Sequence, residues 1–427
     1  MNGQTVGVVQ IRKRSASEWM LCFVFFFPFM QAFLTELLGI PDVVKFLCDG
    51  FALFLLVEMF AKRRLMVNKI IFPVMLVVFV FLIYTAIVYL FHFQSPFYYL
   101  WGLRNNFRFY IIFLAFALLL EWEDATKWLK VLDWLWIVNF LVILFQYFFG
   151  FSQDYLGGIF GVQIGCNGNL LLFMTIVVSK SLLLFMRGEG TIGQALFTTA
   201  SALLISALAE LKFFFIVFII ISIMVSVMTK FSFRKTAFII LSAAAVFVFS
   251  IVLTTLYENF SYLLSWEGFI ESAFNSNYAT AEDIGRFTAI PVISKNFLTN
   301  IWSKLFGLGL GNCDTSSLSI FNSPFFQTYG QRFHYTYFSS AFLYLEVGAI
   351  GLTVVVLLFL LCFIIAWKMY KSKKANEMVC QLALIVAVFS VVFLFYGGSL
   401  RSDAAYLFYF VLALPLISYR SAATQSL

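Results

Sequence analysis

Residues 70–91 read IIFPVMLVVFVFLIYTAIVYLF, without one charged side chain. A helix rising about 1.5 Å per residue needs about 20 such residues to cross the hydrocarbon of a bilayer, and this run is long enough. The same pattern recurs along the chain. Apolar runs lie at 19–38, 43–60, 70–91, 107–121, 128–149, 166–186, 191–209, 213–229, 236–256, 336–367, 378–397 and 402–419. They are continuous rather than alternating, which excludes the strands of a β-barrel. Composition agrees: 62% of the 427 residues are hydrophobic and 11% are charged, against about 25% charged in a soluble domain. The fold expected is an all-α integral membrane protein of about 12 transmembrane helices, one polytopic domain over residues 1–427. The run at 107–121 is short and is expected to extend back through Trp101. The run at 336–367 contains Gly348 and Gly351, and reads as one tilted helix or as a surface segment followed by a crossing.

Charge gives an orientation. With Arg12, Lys13 and Arg14 inside, alternation of the runs also puts Lys62, Arg63, Arg64, Lys69, Lys127, Lys130 and Arg187 inside. Lys230, Arg234, Lys235, Lys368, Lys371, Lys373, Lys374 and Arg420 follow on that side. Every inner loop then carries a basic residue, the positive-inside pattern of a chain with both termini cytoplasmic. The net charge of +7 is therefore explained by these clusters, and no nucleic-acid partner is expected. The first run lacks a small-residue cleavage site and has a basic flank, so it reads as a retained first helix. Six cysteines show no metal or redox spacing. Cys166 and Cys313 both map outside, where a disulfide between them is one option.

One long hydrophilic segment interrupts the apolar runs, residues 257–333, expected as an outer loop between the ninth and tenth helices. Thr280, Ala281, Glu282 and Asp283 resemble a capping box, after which Ile284, Phe287 and Ile290 share a face. Pro291 is expected to kink or restart that helix. Ile293, Phe297, Ile301 and Trp302 would continue an amphipathic surface on the bilayer interface. Gly307, Gly309 and Gly311 mark a turn.

Ten basic residues remain. Lys180 lies near the inner end of its run and is expected to snorkel inward. Lys45 opens the second run, and Lys295, Lys304 and Arg332 lie in the long loop. Arg104 and Arg108 are one turn apart on one helix face, Lys212 sits in a hairpin beside Glu210, and Arg286 and Arg401 complete the set. Cations gathered at one membrane face suit an anionic headgroup or a pyrophosphate, although plain interfacial snorkelling explains any single one. His334, one of two histidines, follows Arg332 where the chain re-enters the membrane. Its imidazole ordinarily titrates near neutral pH, as a general base requires, and neighbouring cations would help keep it neutral. Glu346, within an apolar run, and Asp403 are carboxylates able to orient a base or bind sugar hydroxyls. The chain has no phosphate-binding loop, dinucleotide fingerprint, zinc-protease motif or serine elbow. Pump and protease chemistry are thereby disfavoured.

Residues 285–312, GRFTAIPVISKNFLTNIWSKLFGLGLGN, and 334–352, HYTYFSSAFLYLEVGAIGL, resemble the O-antigen polymerase and O-antigen ligase family of bacterial surface-polysaccharide assembly. The matching features are Gly285-Arg286, the turn from Phe306 to Gly311, His334, and Glu346 with Gly348 and Gly351. Upstream, GGIFGVQIGCNGN at 157–169 and SALAELKFFFIVF at 206–218 are similar to two further family segments, the second placing Lys212 at its basic position. The sequence departs from the family at Tyr335, where many members have Asn, and at Lys212, where ligases usually have Arg. The resemblance implies an outward-facing site in a bacterial plasma membrane, acting on undecaprenyl-pyrophosphate-linked oligosaccharide. An acceptor hydroxyl would displace undecaprenyl pyrophosphate with inversion. It further implies Arg286 and Lys212 at the pyrophosphate, Arg104 or Arg108 as a third contact, and His334 as base. Arg332, Arg401 and Glu346 would be supporting residues. No cofactor or metal is implied; membrane lipid, a chain-length regulator and a flippase are the expected partners. A ligase of the same family, a lipid-linked oligosaccharide flippase and a non-catalytic assembly partner are the competing readings.

Overall fold

The computed structural model describes residues 15–62, 70–230, 284–316 and 318–425, with Phe233, Thr236, Ile240, Phe247 and Ile251. The run at 236–256, the loop through 283 with its capping-box residues, and Arg12, Lys13, Arg14, Arg63, Arg64, Lys69, Arg234 and Lys235 lie otherwise outside the described residues. Among the described residues there is no strand. The helices are α1 (Ala16–Ala32), α2 (Phe46–Ala61), α3 (Phe72–His92), α4 (Pro96–Leu119), α5 (Trp122–Phe148), α6 (Cys166–Arg187) and α7 (Ile192–Leu208). They continue with α8 (Phe213–Met228), α9 (Ala289–Asn296), α10 (Ile301–Phe306), α11 (Pro324–Phe333), α12 (Ser339–Ser372), α13 (Glu377–Tyr396) and α14 (Ala405–Gln425).

Seven described helices are long and apolar enough to cross a membrane: α1 with its extension to Leu37, α3, α5, α6, α12, α13 and α14. The chain is therefore a helical, multi-pass membrane protein. Helices α2, α7 and α8 are apolar but shorter, and α4 is 24 residues long with Arg104 and Arg108 near its middle. The expected extension of the 107–121 run is present, since α4 starts at Pro96, a residue whose fixed φ suits a first turn.

Helix α12 covers most of the run at 336–367 as two helical stretches. It is broken at Gly348, whose φ of 63° and ψ of −168° are non-helical. The Gly-rich turn lies against that break. Leu308 N donates to Leu345 O at 2.8 Å and Gly309 N to Glu346 O at 2.9 Å, so the turn satisfies carbonyls the break exposes. Tyr84 Oη adds a bond to Val347 O at 2.7 Å. A Cβ on Gly307 would stand 2.5 Å from Glu346 O, which is why backbone meets backbone here.

The long-loop helices differ from expectation in extent. Helix α9 begins only at Ala289, with Pro291 in its first turn, where a missing N–H costs nothing. The apolar stripe does not run on through Trp302, because Asn300 caps a separate α10. Phe297, between them, is packed by Phe325, Tyr329 and Phe333 of α11 with ring centroids 5.0–5.2 Å away.

Helix ends fall into two groups. In one, Ser17 Oγ donates to Glu58 Oε1 at 3.0 Å, Arg187 pairs with Glu377 at 3.2 Å, and Gln381 Nε2 donates to Met228 O at 2.8 Å. Asn376 N reaches Ser418 Oγ at 2.8 Å and Arg420 reaches Ala117 O at 3.0 Å in that group. These are the ends expected inside. The opposite ends gather around a cavity.

Two expectations are corrected. Lys180 does not snorkel: it is 2% exposed, and its ammonium pairs with Asp133 of α5 at 2.6 Å. A buried ammonium is tolerable only with such a partner. Cys166 and Cys313 are both free thiols, so no disulfide joins them.

Candidate functional site

The polar loop between α5 and α6 makes the first wall. Gln146 holds it twice, accepting from Gly158 N at 2.8 Å and donating to Gly158 O at 2.9 Å, while Asn139 Oδ1 accepts from Ile159 N at 3.0 Å. Irregular backbone beside membrane helices survives when its polar groups are satisfied in this way. Glu36, in the π-helical turn Phe33–Leu37 that ends α1, accepts from Val162 N at 2.9 Å. It lies so close to Gly161 that a Cβ there would be 2.3 Å from Glu36 Oε1. Loop and helix end are thereby fixed to each other.

Between them opens a cavity of about 780 Å³. Its lining includes Gln31, Glu36, Asp42 and Lys45 from the α1–α2 side, and Asp154, Gln163, Asn167 and Asn169 from the loop and the start of α6. Glu210, Arg286, Thr336 to Phe338, Tyr396, Ser399 and Ser402 close it. Amides, hydroxyls and carboxylates of this kind recognise sugar hydroxyls, and Arg286 offers the planar donors that suit a phosphate. The Arg286 guanidinium lies over the Tyr396 ring at 4.6 Å. Ile284 N donates to Phe333 O at 3.2 Å, so the segments bearing Arg286 and His334 are backbone neighbours.

A buried ion network lies beside the cavity. Arg104 pairs with Asp49 at 2.7 Å, and Arg108 with Asp403 at 2.9 Å and Asp49 at 3.7 Å. Asn105 Nδ2 donates to Asp314 at 2.7 Å, and Asp314 pairs with Arg401 at 3.3 Å. The Arg401 guanidinium sits 3.2 Å from the centroid of Phe342. Each guanidinium therefore has a carboxylate beside it.

Of the cations that the family resemblance assigned to the site, Arg286 alone lines the cavity. Arg104, Arg108 and Arg401 belong to the neighbouring network, their charge answered by Asp49, Asp403 and Asp314. Lys212 is an exposed side chain paired with Glu210 at 3.4 Å, and Glu210 rather than Lys212 faces the cavity. Arg332 is exposed in the last turn of α11, its guanidinium 5.5 Å from the Phe333 ring. His334 takes a left-handed backbone at the end of α11, and its ring stacks at 4.9 Å on Tyr337, itself a lining residue. Glu346 is fully buried, accepting from Cys313 N at 3.2 Å, and so anchors the Gly-rich turn rather than the cavity. Tyr335 Oη donates to Cys313 O at 2.6 Å in that core. Burial, reinforced by Glu346 and Asp314, pushes the Cys313 thiol well above its ordinary range.

Sequence reasoning did not single out Gln31, Glu36 or Asp154, reached Asn167 and Asn169 only through the family-like segment 157–169, and counted Lys45 among the outer cations without assigning it to the site. Polar residues within or beside the apolar runs were the available signal. No protein-family model and no curated protein matches the chain.

Proposed function

We propose that this chain is a polysaccharide polymerase joining undecaprenyl-pyrophosphate-linked oligosaccharide repeat units at the outer face of a bacterial plasma membrane. The supporting observation is the polar cavity of about 780 Å³ with Arg286 in its wall, lined from helix ends that charge bookkeeping assigns to the outer side. In this reading the chain crosses the membrane twelve times with both termini cytoplasmic, and the segment that carries Arg286 borders the cavity. The lipid chain of the donor stays in the bilayer beside it.

The chemistry needs a cation where charge grows and a base where a proton is lost. The acceptor hydroxyl oxygen forms a bond to the donor's anomeric carbon as the bond from that carbon to the pyrophosphate oxygen breaks, inverting configuration. Undecaprenyl pyrophosphate leaves with the electron pair, stabilised by Arg286. The hydroxyl proton passes to His334, next to the lining Tyr337. The cavity carboxylates and amides orient the sugars. The reading calls for no metal or soluble cofactor, because the lipid pyrophosphate is already an activated leaving group. A chain-length regulator and a flippase would act before and beside it.

Purified protein given a lipid-linked repeat unit is expected to lengthen the glycan, with loss on Arg286→Ala and on His334→Ala. Full growth by both variants would remove the site; no growth by the wild type would remove the polymerase. One observation favours a carrier instead. The ion network within α2, α4 and residues 399–403 is of the kind that marks ion pathways in membranes. Transport of the lipid-linked unit across vesicles without chain growth would select that reading.

A further inference from the structure

Two basic side chains line the cavity, Arg286 and Lys45, beside four carboxylates, Glu36, Asp42, Asp154 and Glu210. Acids outnumber bases, so a multiply charged anion is repelled from much of the wall and must be held where the cations are. Lys45 is unusually well placed for that. Its flexible stem would ordinarily sweep a wide volume. Here Nζ is 2.9 Å from Asp42 Oδ2. In the amide orientation that satisfies both neighbours, Gln31 accepts from Lys45 Nζ at 3.3 Å and donates to Asp403 Oδ2 at 3.1 Å. Asp403 Oδ1 is in turn 2.9 Å from Arg108, buried between α2, α4 and α14. An ammonium carries three donors, and these two acceptors leave one for a phosphate oxygen.

We propose that Lys45 is the second cation of the pyrophosphate site, and that Gln31, fixed by the Arg108–Asp403 pair, is the positioning residue holding its ammonium in the cavity. The buried pair supplies an anchor that does not move with solvent. Gln31 transmits it to the cavity without adding charge, which a carboxylate at that position would do. The identity of the anion rests on the polymerase reading; the placement of Lys45 does not.

The test uses the full chain in lipid nanodiscs, with inorganic pyrophosphate as the probe in calorimetric titration and glycan growth measured in parallel. Lys45→Met is expected to weaken pyrophosphate binding about tenfold or more, the loss associated with a charge-assisted hydrogen bond. Lys45→Arg should keep most of it. Gln31→Leu is expected to weaken binding severalfold while melting with the wild type, because the Arg108–Asp403 pair remains. A purely structural Gln31 would lower the melting temperature and leave pyrophosphate affinity unchanged. Unchanged binding by both Lys45→Met and Gln31→Leu overturns the proposal, as does a wild type that binds no pyrophosphate. Lys45-dependent binding without glycan growth would uphold it and sink the polymerase. Glycan growth indifferent to Lys45 and Gln31 would do the reverse.

Discussion

Substituting Gly348 by alanine tests the seam on which the outer half of the protein is assembled. Its backbone, at φ 63° and ψ −168°, lies in a region only glycine populates readily, and a side chain there costs about 1–3 kcal/mol. A Cβ would also stand 2.3 Å from Leu305 O and 2.6 Å from Gly307 N. Both neighbours are backbone, so relief requires the turn to move away from α12. That movement stretches the bonds from Leu308 N to Leu345 O and from Gly309 N to Glu346 O, each worth about 1 kcal/mol net. The combined loss is about 4 kcal/mol, enough to lower the melting temperature of the purified protein by on the order of 5 °C or more. Thermal unfolding followed by size-exclusion chromatography in detergent reads it. Gly193→Ala is the control: it lies in α7 with nothing within 4 Å of the added Cβ, and should be neutral or slightly stabilising. A Gly348→Ala protein melting with the wild type would refute the seam.

Other consequences follow from the same geometry. Arg108→Ala leaves Asp403 buried without its guanidinium and Asp49 with Arg104 alone, and is expected to destabilise the fold by about 3–5 kcal/mol, read in the same melt. Lys212→Met removes only an exposed pair with Glu210, so melting should shift by less than about 1 kcal/mol and glycan growth should persist; complete loss of growth would return Lys212 to the anion site. Cys313, fully buried with its thiol held protonated by that burial, should resist maleimide in the native protein at pH 8 and react only after unfolding. Rapid native labelling would show that the turn opens.

Much of the helical framework was legible because it depends on composition over distance. An apolar run such as 70–91 has one way to satisfy its backbone inside a bilayer, and α3 spans Phe72–His92. The glycines at 307, 309 and 311 announced a turn, while Gly348 and Gly351 left the run at 336–367 open between one tilted helix and a surface segment followed by a crossing. Their mutual contact was not legible, because nothing local in the sequence says which carbonyl a turn will meet. Charges were the least readable. Arg104 and Arg108 look alike from sequence whether they await a ligand or face Asp49 and Asp403, residues 49 and 403 being far from them along the chain.

By itself, then, the sequence determined that the chain is a multi-pass helical membrane protein and that its hydrophilic matter is concentrated between residues 257 and 333. Hydropathy and glycine act over one turn or one helix, so a single strand of text carries them. The tertiary structure decided which cations face the cavity. It placed Arg286 and Lys45 on the cavity, set Arg104, Arg108 and Arg401 against carboxylates, and put Glu346 under the Gly-rich turn. Electrostatic availability depends on partners brought together from segments far apart along the chain, and only the packed structure specifies those partners.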